Sequence, residues 1–303
     1  MKTLRLFLCP AAALLLTFLC PLPTRSQTPD PGTARLEREV VERLAGAADL
    51  LPGVRLSDRT TPENRALARD YLAALLDSLG LESRRQTYRE NGENVYALLP
   101  ATVASEEYLV LGAHFDSARL SPGANDNATG CALVAGAARD LVRLPGRSRN
   151  LYIIFFDEEE RGLQGSRAFA GWLQAEGKTV VGVHTVDQMG WDADKDRAVE
   201  LEIPYEGAVP LYEEAARAMG RNIILHVTAE AGSDHSAFRR LGFPAVGLTE
   251  EYRSGDTTPH IHRSTDRADT VDFDYLASST RLVVSAFRRL LNGGEDPGAG
   301  PPG

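Results

Sequence analysis

Leu151-Tyr152-Ile153-Ile154-Phe155-Phe156 is an unbroken apolar run that ends in four consecutive acids, Asp157-Glu158-Glu159-Glu160. Bulky, β-branched and aromatic residues without polar alternation are the pattern of a strand buried on both faces, which requires a sheet covered on each side. The acids then fall at the strand's carboxyl end, where open α/β sheets place their ligand sites. Carboxylates this close repel one another and are costly near a core unless a cation or solvent compensates them. A divalent metal is one compensator. A solvated acidic turn is the other reading, and the rest of the chain decides between them.

At the amino end, Lys2 and Arg5 precede an apolar stretch from Leu6 to Leu19 that Pro21 and Pro23 terminate. This is the layout of a secretory signal peptide, and the stretch is short for a membrane span. Thr24 and Ser26 supply small residues for a cut before Gln27, and Leu19 is too large for a typical lipoprotein signal at Cys20. The expectation is a secreted or periplasmic chain without a stable membrane anchor. Residues 1–26 form the signal peptide, 27–33 a Pro-rich linker, 34–292 the folded domain and 293–303 a disordered Gly/Pro-rich tail. Cleavage removes Lys2, Arg5 and Arg25 and no acid, so the net charge moves from −9 to −12. An acidic surface of that kind excludes nucleic acid as a partner. Cys9 and Cys20 leave with the leader. Cys131 remains in an apolar stretch, where it reads as a small buried hydrophobe with no disulfide partner.

Strands and helices alternate along the domain. Thr61-Pro62-Glu63 opens a helix with a cap, a proline at its first position and an early acid, and Gly80 closes it. Strand patterns follow at Val95–Leu99, Tyr108–Leu111, 151–156, Val180–Val186, Ile223–Val227 and Ala245–Leu248. Helical patterns occupy about 128–143 and 165–175, then Val209–Met219, Ser236–Leu241 and Tyr275–Leu291. Such alternation predicts a three-layer α/β/α domain with one sheet between helices.

Four further segments fall at strand ends or in the loops beyond them: Gly112-Ala113-His114-Phe115-Asp116-Ser117, Pro122-Gly123-Ala124-Asn125-Asp126-Asn127-Ala128-Thr129-Gly130, Val186-Asp187-Gln188-Met189-Gly190 and Pro259-His260-Ile261-His262-Arg263-Ser264-Thr265-Asp266. Each alone is a weak signal. With one acid of the cluster they supply two histidines and three carboxylates, a donor set that suits zinc.

In order and spacing, the motifs H-F-D-S, G-A-N-D-N-A-T-G, E-E-R-G-L-Q-G-S, V-D-Q-M-G, S-D-H and H-R-S-T-D resemble the co-catalytic zinc aminopeptidases, the bacterial leucyl-aminopeptidase-like exopeptidases related to glutaminyl cyclases and the transferrin receptor ectodomain. The resemblance runs from about residue 60 to 290 and implies a mixed, mostly parallel sheet of about eight strands with two zinc ions at its carboxyl ends. It makes Asp126 the bridge between the metals. His114 and Asp187 complete one site, and Glu160 and His262 the other. Glu159 is the general base, and Asp116 supports His114 through its second ring nitrogen. Asp157 and Glu158 match no catalytic position and read as solvent-facing or as supports for their neighbours. His260 and His235 compete for the last ligand place, and register against the family's I-H-T-x-x-D pattern selects His262. The resemblance also implies a cis peptide between Asp126 and Asn127.

Some positions depart from the family pattern. Gln188 stands where a methionine is frequent, and Arg263 and Arg267 replace two threonines. No protease-associated domain interrupts the early strands. The expected activity is removal of N-terminal residues from peptide or small aminoacyl substrates, with two zinc ions as cofactors. The competing readings are a single-zinc glutaminyl-cyclase-like acyltransferase, a carboxypeptidase or dipeptidase, and a metal-free receptor-like ectodomain. The first needs only Asp, Glu and His, and the last expects eroded ligands.

Overall fold

The apolar run forms β4 (Asn150–Phe156), buried along its whole length. The computed structural model of the chain describes residues 30–220 and 223–293, so the expected signal peptide and all but the first residue of the expected tail lie outside the described residues. β4 pairs in parallel with β3 (Glu107–His114) and antiparallel with β2 (Gly92–Leu99), which pairs antiparallel with β1 (Ser83–Arg89) at one edge. On the other side β3 runs parallel to β5 (Thr179–Val186), and β5 parallel to β8 (Ala245–Thr249). Then β6 (Val199–Glu202) lies antiparallel to β8, and β7 (Leu225–Thr228) parallel to β6. The sheet order is β1-β2-β4-β3-β5-β8-β6-β7. This is the mixed sheet of about eight strands that the family resemblance implies.

Alternation along β4 sorts its side chains between two cores. Leu151, Ile153 and Phe155 join a cluster with α1 (Pro31–Leu44), α2 (Pro62–Ser78), α3 (Gly130–Leu141), α5 (Ala208–Ala218) and α7 (Phe273–Leu291). Tyr152, Ile154 and Phe156 face the opposite cluster, with Phe169 of α4 (Gln164–Ala175) and Phe238 of α6 (His235–Arg239). Edge-to-face contacts tie Tyr152 to Phe169 and Trp172 in that second layer. Truncation of a fully buried ring such as Phe155 would cost about 3–5 kcal/mol.

Local sequence sets the helix ends. Thr61 caps α2 by accepting from the Asn64 N–H, Pro62 occupies its first turn, and Gly80 turns the chain at φ +81. Asp272 caps α7 by accepting from the N–H groups of Asp274 and Tyr275, and Arg288 and Arg289 stand in its last turn.

Three elements lie outside the sequence reading. Pro31–Thr33, expected in the linker, form the first turn of α1, which Asp30 caps. That helix buries Val40, Val41 and Leu44. β1 carries arginines and a mostly exposed pattern, and β6 is four residues long with two buried glutamates. Among the described residues no helix is long and apolar enough to cross a membrane.

Helix α1 brings a carboxyl into the core. Glu37 is buried beside Gly136 and Thr280, and its Oε1 has no hydrogen-bond partner. Burial raises its pKa from 4.5 to about 7, with Thr280 opposing. Well below 4.5 both folded and unfolded chains hold the proton and no penalty arises. Between 4.5 and 7 the unfolded chain ionises first, so the residue becomes progressively destabilising, and the penalty levels off above about 7. Glu37→Gln should therefore stabilise the protein by on the order of 2–4 kcal/mol at pH 8 and by less than about 1 kcal/mol near pH 5. Thermal unfolding at the two pH values checks this, and an equal gain at both would refute the burial argument.

Candidate metal centre

β3, β4, β5 and β8 run parallel, so their carboxyl ends share one edge of the sheet. His114 is the last residue of β3, the four acids follow β4, Asp187 follows β5 and Glu250 follows β8. The remaining residues come from two loops. In the turn Ala124–Thr129 before α3, the backbone N–H groups of Asn125 and Asp126 donate to the two oxygens of Asp266 at 2.7 and 3.1 Å. The Asn127 amide donates to the Val186 carbonyl, and its oxygen accepts from the N–H groups of Gly130 and Gln188. The peptide between Asp126 and Asn127 is cis, as the resemblance implies. Arg59 fixes the chain leading into this turn. Its fully buried guanidinium donates to the carbonyls of Leu44, Phe115, Pro122 and Gly123.

Five predicted residues meet in two groups. The ligand atoms of His114, Asp126 and Asp187 lie within 4.8 Å of one another, and so do those of Asp126, Glu160 and His262. His114 Nε2 is 3.4 Å from Asp126 Oδ1 and 3.4 Å from Asp187 Oδ1. His262 Nε2 is 3.1 Å from Asp126 Oδ2 and 3.2 Å from Glu160 Oε2. Asp126 thus turns one oxygen toward each group. The competing histidines stand elsewhere. Buried His235 bonds the Glu230 carbonyl, and His260 bonds the Thr265 hydroxyl.

These residues fit a pair of cations. Both ring nitrogens of His114, Glu160 Oε1 and Asp187 Oδ1 are buried without a hydrogen-bond partner. Buried donor and acceptor atoms are normally satisfied, so such a convergence marks a place for another atom. The local field also demands positive charge. Burial disfavours a charged His114, yet Asp187, Glu159, Asp116 and Asp126 outweigh it and raise its pKa well above the ordinary value. Hydrogen bonds to Asp126 and Glu160 raise His262 to about 10. Imidazole and carboxylate donors in groups of three are the chemistry of zinc sites. Two other acidic groupings, around Asp194 and Asp256, contain no histidine, and both Asp256 oxygens are taken by N–H donors from residues 191–194.

Glu159 precedes Glu160 in the chain, feels the charges of His114 and Asp187, and belongs to neither group. Burial pushes its carboxyl well above the usual range, with Asp234, Asp187 and Asp116 adding to the effect against the opposing charge of His114. Asp116 holds the backbone here. Its oxygens accept the Glu159 and Glu160 N–H groups at 3.0 and 3.2 Å. The expected support of His114 is looser, 3.3 Å from Nδ1 to Asp116 Oδ1, so this carboxylate orients the acidic turn more firmly than the imidazole.

Asp157 and Glu158 are buried, not solvent-facing. Buried Arg65 of α2 pairs with Asp157 at 2.7 Å and with Glu158 at 2.9 Å. Tyr88 and Arg89 of β1 also donate to Glu158. The cluster therefore splits, two acids turning to arginines and two toward the metal-ligand groups. Glu158, Gln188 and His262 all have positive φ, +61, +46 and +56. Non-glycine residues are uncommon there and cluster at functional sites. Gln188 is buried with an unpartnered Oε1, whereas Arg263 and Arg267 are exposed.

Sequence reasoning missed Glu250. It is fully buried, and its oxygens accept from the Asn125 side chain, the N–H groups of Gly190, Trp191 and Thr258, and the Thr257 hydroxyl. One carboxylate thereby joins the segments that carry Asp126, Asp187 and His262. The signal was an acid at a strand end, the same signal as at β4.

Comparison with known proteins bears on the fold and the family. A probable leucine aminopeptidase of Arthroderma otae is 23% identical over 249 residues, covering 77% of this chain and 66% of the relative, so the chain spans about two thirds of that relative's length. The fold is similar to that of the LapA aminopeptidase of Legionella pneumophila, with a TM-score of 0.75 at 18% identity over 85% of this chain and 72% of that one. It is also similar to a zinc aminopeptidase of Bacillus subtilis, with a TM-score of 0.61 at 23% identity over 67% and 51% of the two chains. At these identities the structural likeness establishes the fold alone. The model of peptidase family M28 matches residues 94–287, from β2 through most of α7 and across every predicted ligand, and on that match the chain belongs to peptidase family M28.

Proposed function

We propose that the chain is an exported zinc-dependent aminopeptidase that hydrolyses the N-terminal bond of peptides. The observation that carries this reading is the sharing of Asp126 between two His/carboxylate groups, with Glu159 next to Glu160 in the chain and outside both. His114, Asp126 and Asp187 would hold one zinc, and Asp126, Glu160 and His262 the other. Bound there, the metals would acidify water and polarise the scissile carbonyl.

The chain's own residues do the rest. Glu159 accepts a proton from water and donates it to the departing amine, the work of a general base that becomes a general acid. Asp116 grips the Glu159 and Glu160 N–H groups together, so base and ligand are held by one carboxylate. Arg65 pairs with Asp157 and Glu158, so these two acids add little repulsion to the reacting centre. Glu250 and Asp266 fix the loops that present Asp126 and His262. A single-zinc glutaminyl-cyclase-like acyltransferase would leave the His114–Asp187 group without a role, and that group argues for the peptidase.

The decisive assay compares aminoacyl anilides and peptides with their N-acetylated forms. Hydrolysis only of substrates with a free amino terminus is expected, and turnover of the blocked forms would reject an aminopeptidase. Mass spectrometry of exported material should find a chain beginning near Gln27; an intact Met1 or a lipid on Cys20 would count against cleavage.

Glu159→Gln keeps the shape of the side chain and all five proposed ligands. It should retain metal and lose about 10²–10⁴-fold in kcat. Full activity in this variant, with Glu158→Gln inactive, would move the base by one position.

Metal analysis of the gently purified protein should give two zinc ions per chain, and chelation should abolish activity. Asp126→Ala should reduce binding of both equivalents, because only Asp126 belongs to both groups, whereas Glu160→Gln should weaken one. Loss of a single equivalent in Asp126→Ala would contradict the bridging role.

A further inference from the structure

A cavity lies at the end of the sheet opposite the metal-ligand groups. Val181, near the start of β5, lines it, whereas Asp187 follows the last residue of that strand; at ~3.3 Å per residue the two ends stand roughly 20 Å apart. The cavity measures about 390 Å³, and Arg149, Tyr205, Leu211, Glu214, Arg289 and Leu290 are among the residues that line it.

Its polarity follows from a buried chain of three side chains. His184 is fully buried, with Nδ1 2.9 Å from the Tyr212 hydroxyl and Nε2 3.1 Å from the Tyr205 hydroxyl. Burial holds the His184 pKa down at about 3, so the imidazole is neutral and carries one N–H. Tyr212 is fully buried, and among the described residues its hydroxyl has no other hydrogen-bond partner. If it accepted from Nδ1, its own O–H would be stranded in the core, which buried polar groups avoid. Tyr212 therefore donates to Nδ1. The imidazole proton then sits on Nε2 and is donated to the Tyr205 oxygen. That leaves the Tyr205 proton, on a phenol that lines the cavity, to be donated into it.

Arg149 supplies the second donor. Its Nε donates to Glu107 and its Nη1 to the Leu290 carbonyl, both at 2.6 Å, which fixes the guanidinium plane. Among the described residues Nη2 has no partner. Val181, Leu211 and Leu290 contribute aliphatic surface, and Glu214 and Arg289, 3.4 Å apart, form an ion pair on the same wall.

We propose that this cavity binds a small aliphatic monocarboxylate, whose carboxylate accepts from Tyr205 Oη and Arg149 Nη2 and whose hydrocarbon body lies against Val181, Leu211 and Leu290. The site is separate from the metal-ligand groups and does not depend on the peptidase reading.

Calorimetry on the zinc-loaded full chain tests it with 4-methylpentanoate and 4-methylpentanamide. The carboxylate should bind at least about tenfold more tightly than the amide, because the amide loses the charge-assisted bond. Tyr205→Phe removes one O–H at constant shape and should weaken carboxylate binding at least about fivefold, with metal content and peptide hydrolysis unchanged. Leu211→Trp, which narrows the cavity, should abolish binding with the same two controls intact. Equal binding of acid and amide, or undiminished binding in both variants, would overturn the assignment, the latter because the carboxylate then sits at the metal centre. Binding confined to a chain ending at Gly293 would also overturn it, since residues beyond 293 would then be the occupant.

Discussion

Mutual repulsion among buried carboxylates is the constraint that organises this molecule. Bringing Asp116, Asp126, Asp157, Glu158, Asp266 and Glu250 out of water in one region is tolerable only if each finds a compensating charge or a set of N–H donors. The chain distributes the compensation by type. Arg65 takes Asp157 and Glu158, backbone N–H groups take Asp116 and Asp266, and a mixture of backbone and side-chain donors takes Glu250. Asp126, Glu160 and Asp187 face two imidazoles, with buried oxygens still lacking a hydrogen-bond partner on Glu160 and Asp187. The oxygens left without a partner at this centre are those that the surrounding donors have not satisfied.

The scaffold serves that partition. Parallel strands deliver His114, the acidic turn, Asp187 and Glu250 to one edge, and side-chain clamps then fix the irregular loops between them. Arg59 is the clearest clamp. A guanidinium offers donors in a rigid fork, and here they reach carbonyls from the end of α1, the segment after β3 and the entry to the Asp126 turn. These loops are thereby tied to one another through a single buried side chain.

How much of this could be read from the sequence varies with the range of the interactions involved. The sheet and most helices were legible because β4, β5 and α2 carry their periodicity within a few residues. The five residues that meet in the two groups were legible because each stands at a strand end or in a recognisable motif. Helix α1 was not, since its first turn contains Pro31 and Gly32, which read locally as a linker, while burial of Val40, Val41 and Leu44 arises against distant helices. The edge strand β1 hides behind its arginines, and β6 behind two glutamates that pairing and burial convert to interior residues. The burial of Glu158 was equally hidden because its partner Arg65 is 93 residues away. Glu250 carries no motif of its own, and its role depends on donors supplied by three separate loops.

The order of the strands has a kinetic consequence. One half of the Asp126 pair needs β3 and β5, while the other needs the turn after β4 and a loop that follows β8. Asp126 itself is aimed by Asp266, 140 residues further along the chain. Contacts of such separation close late, because the entropy of closing long loops must be met before they form. Nothing resembling a complete ligand cage exists in a partly synthesised or partly folded chain. A centre assembled from residues 114 to 266 is thus completed only when the topology is finished.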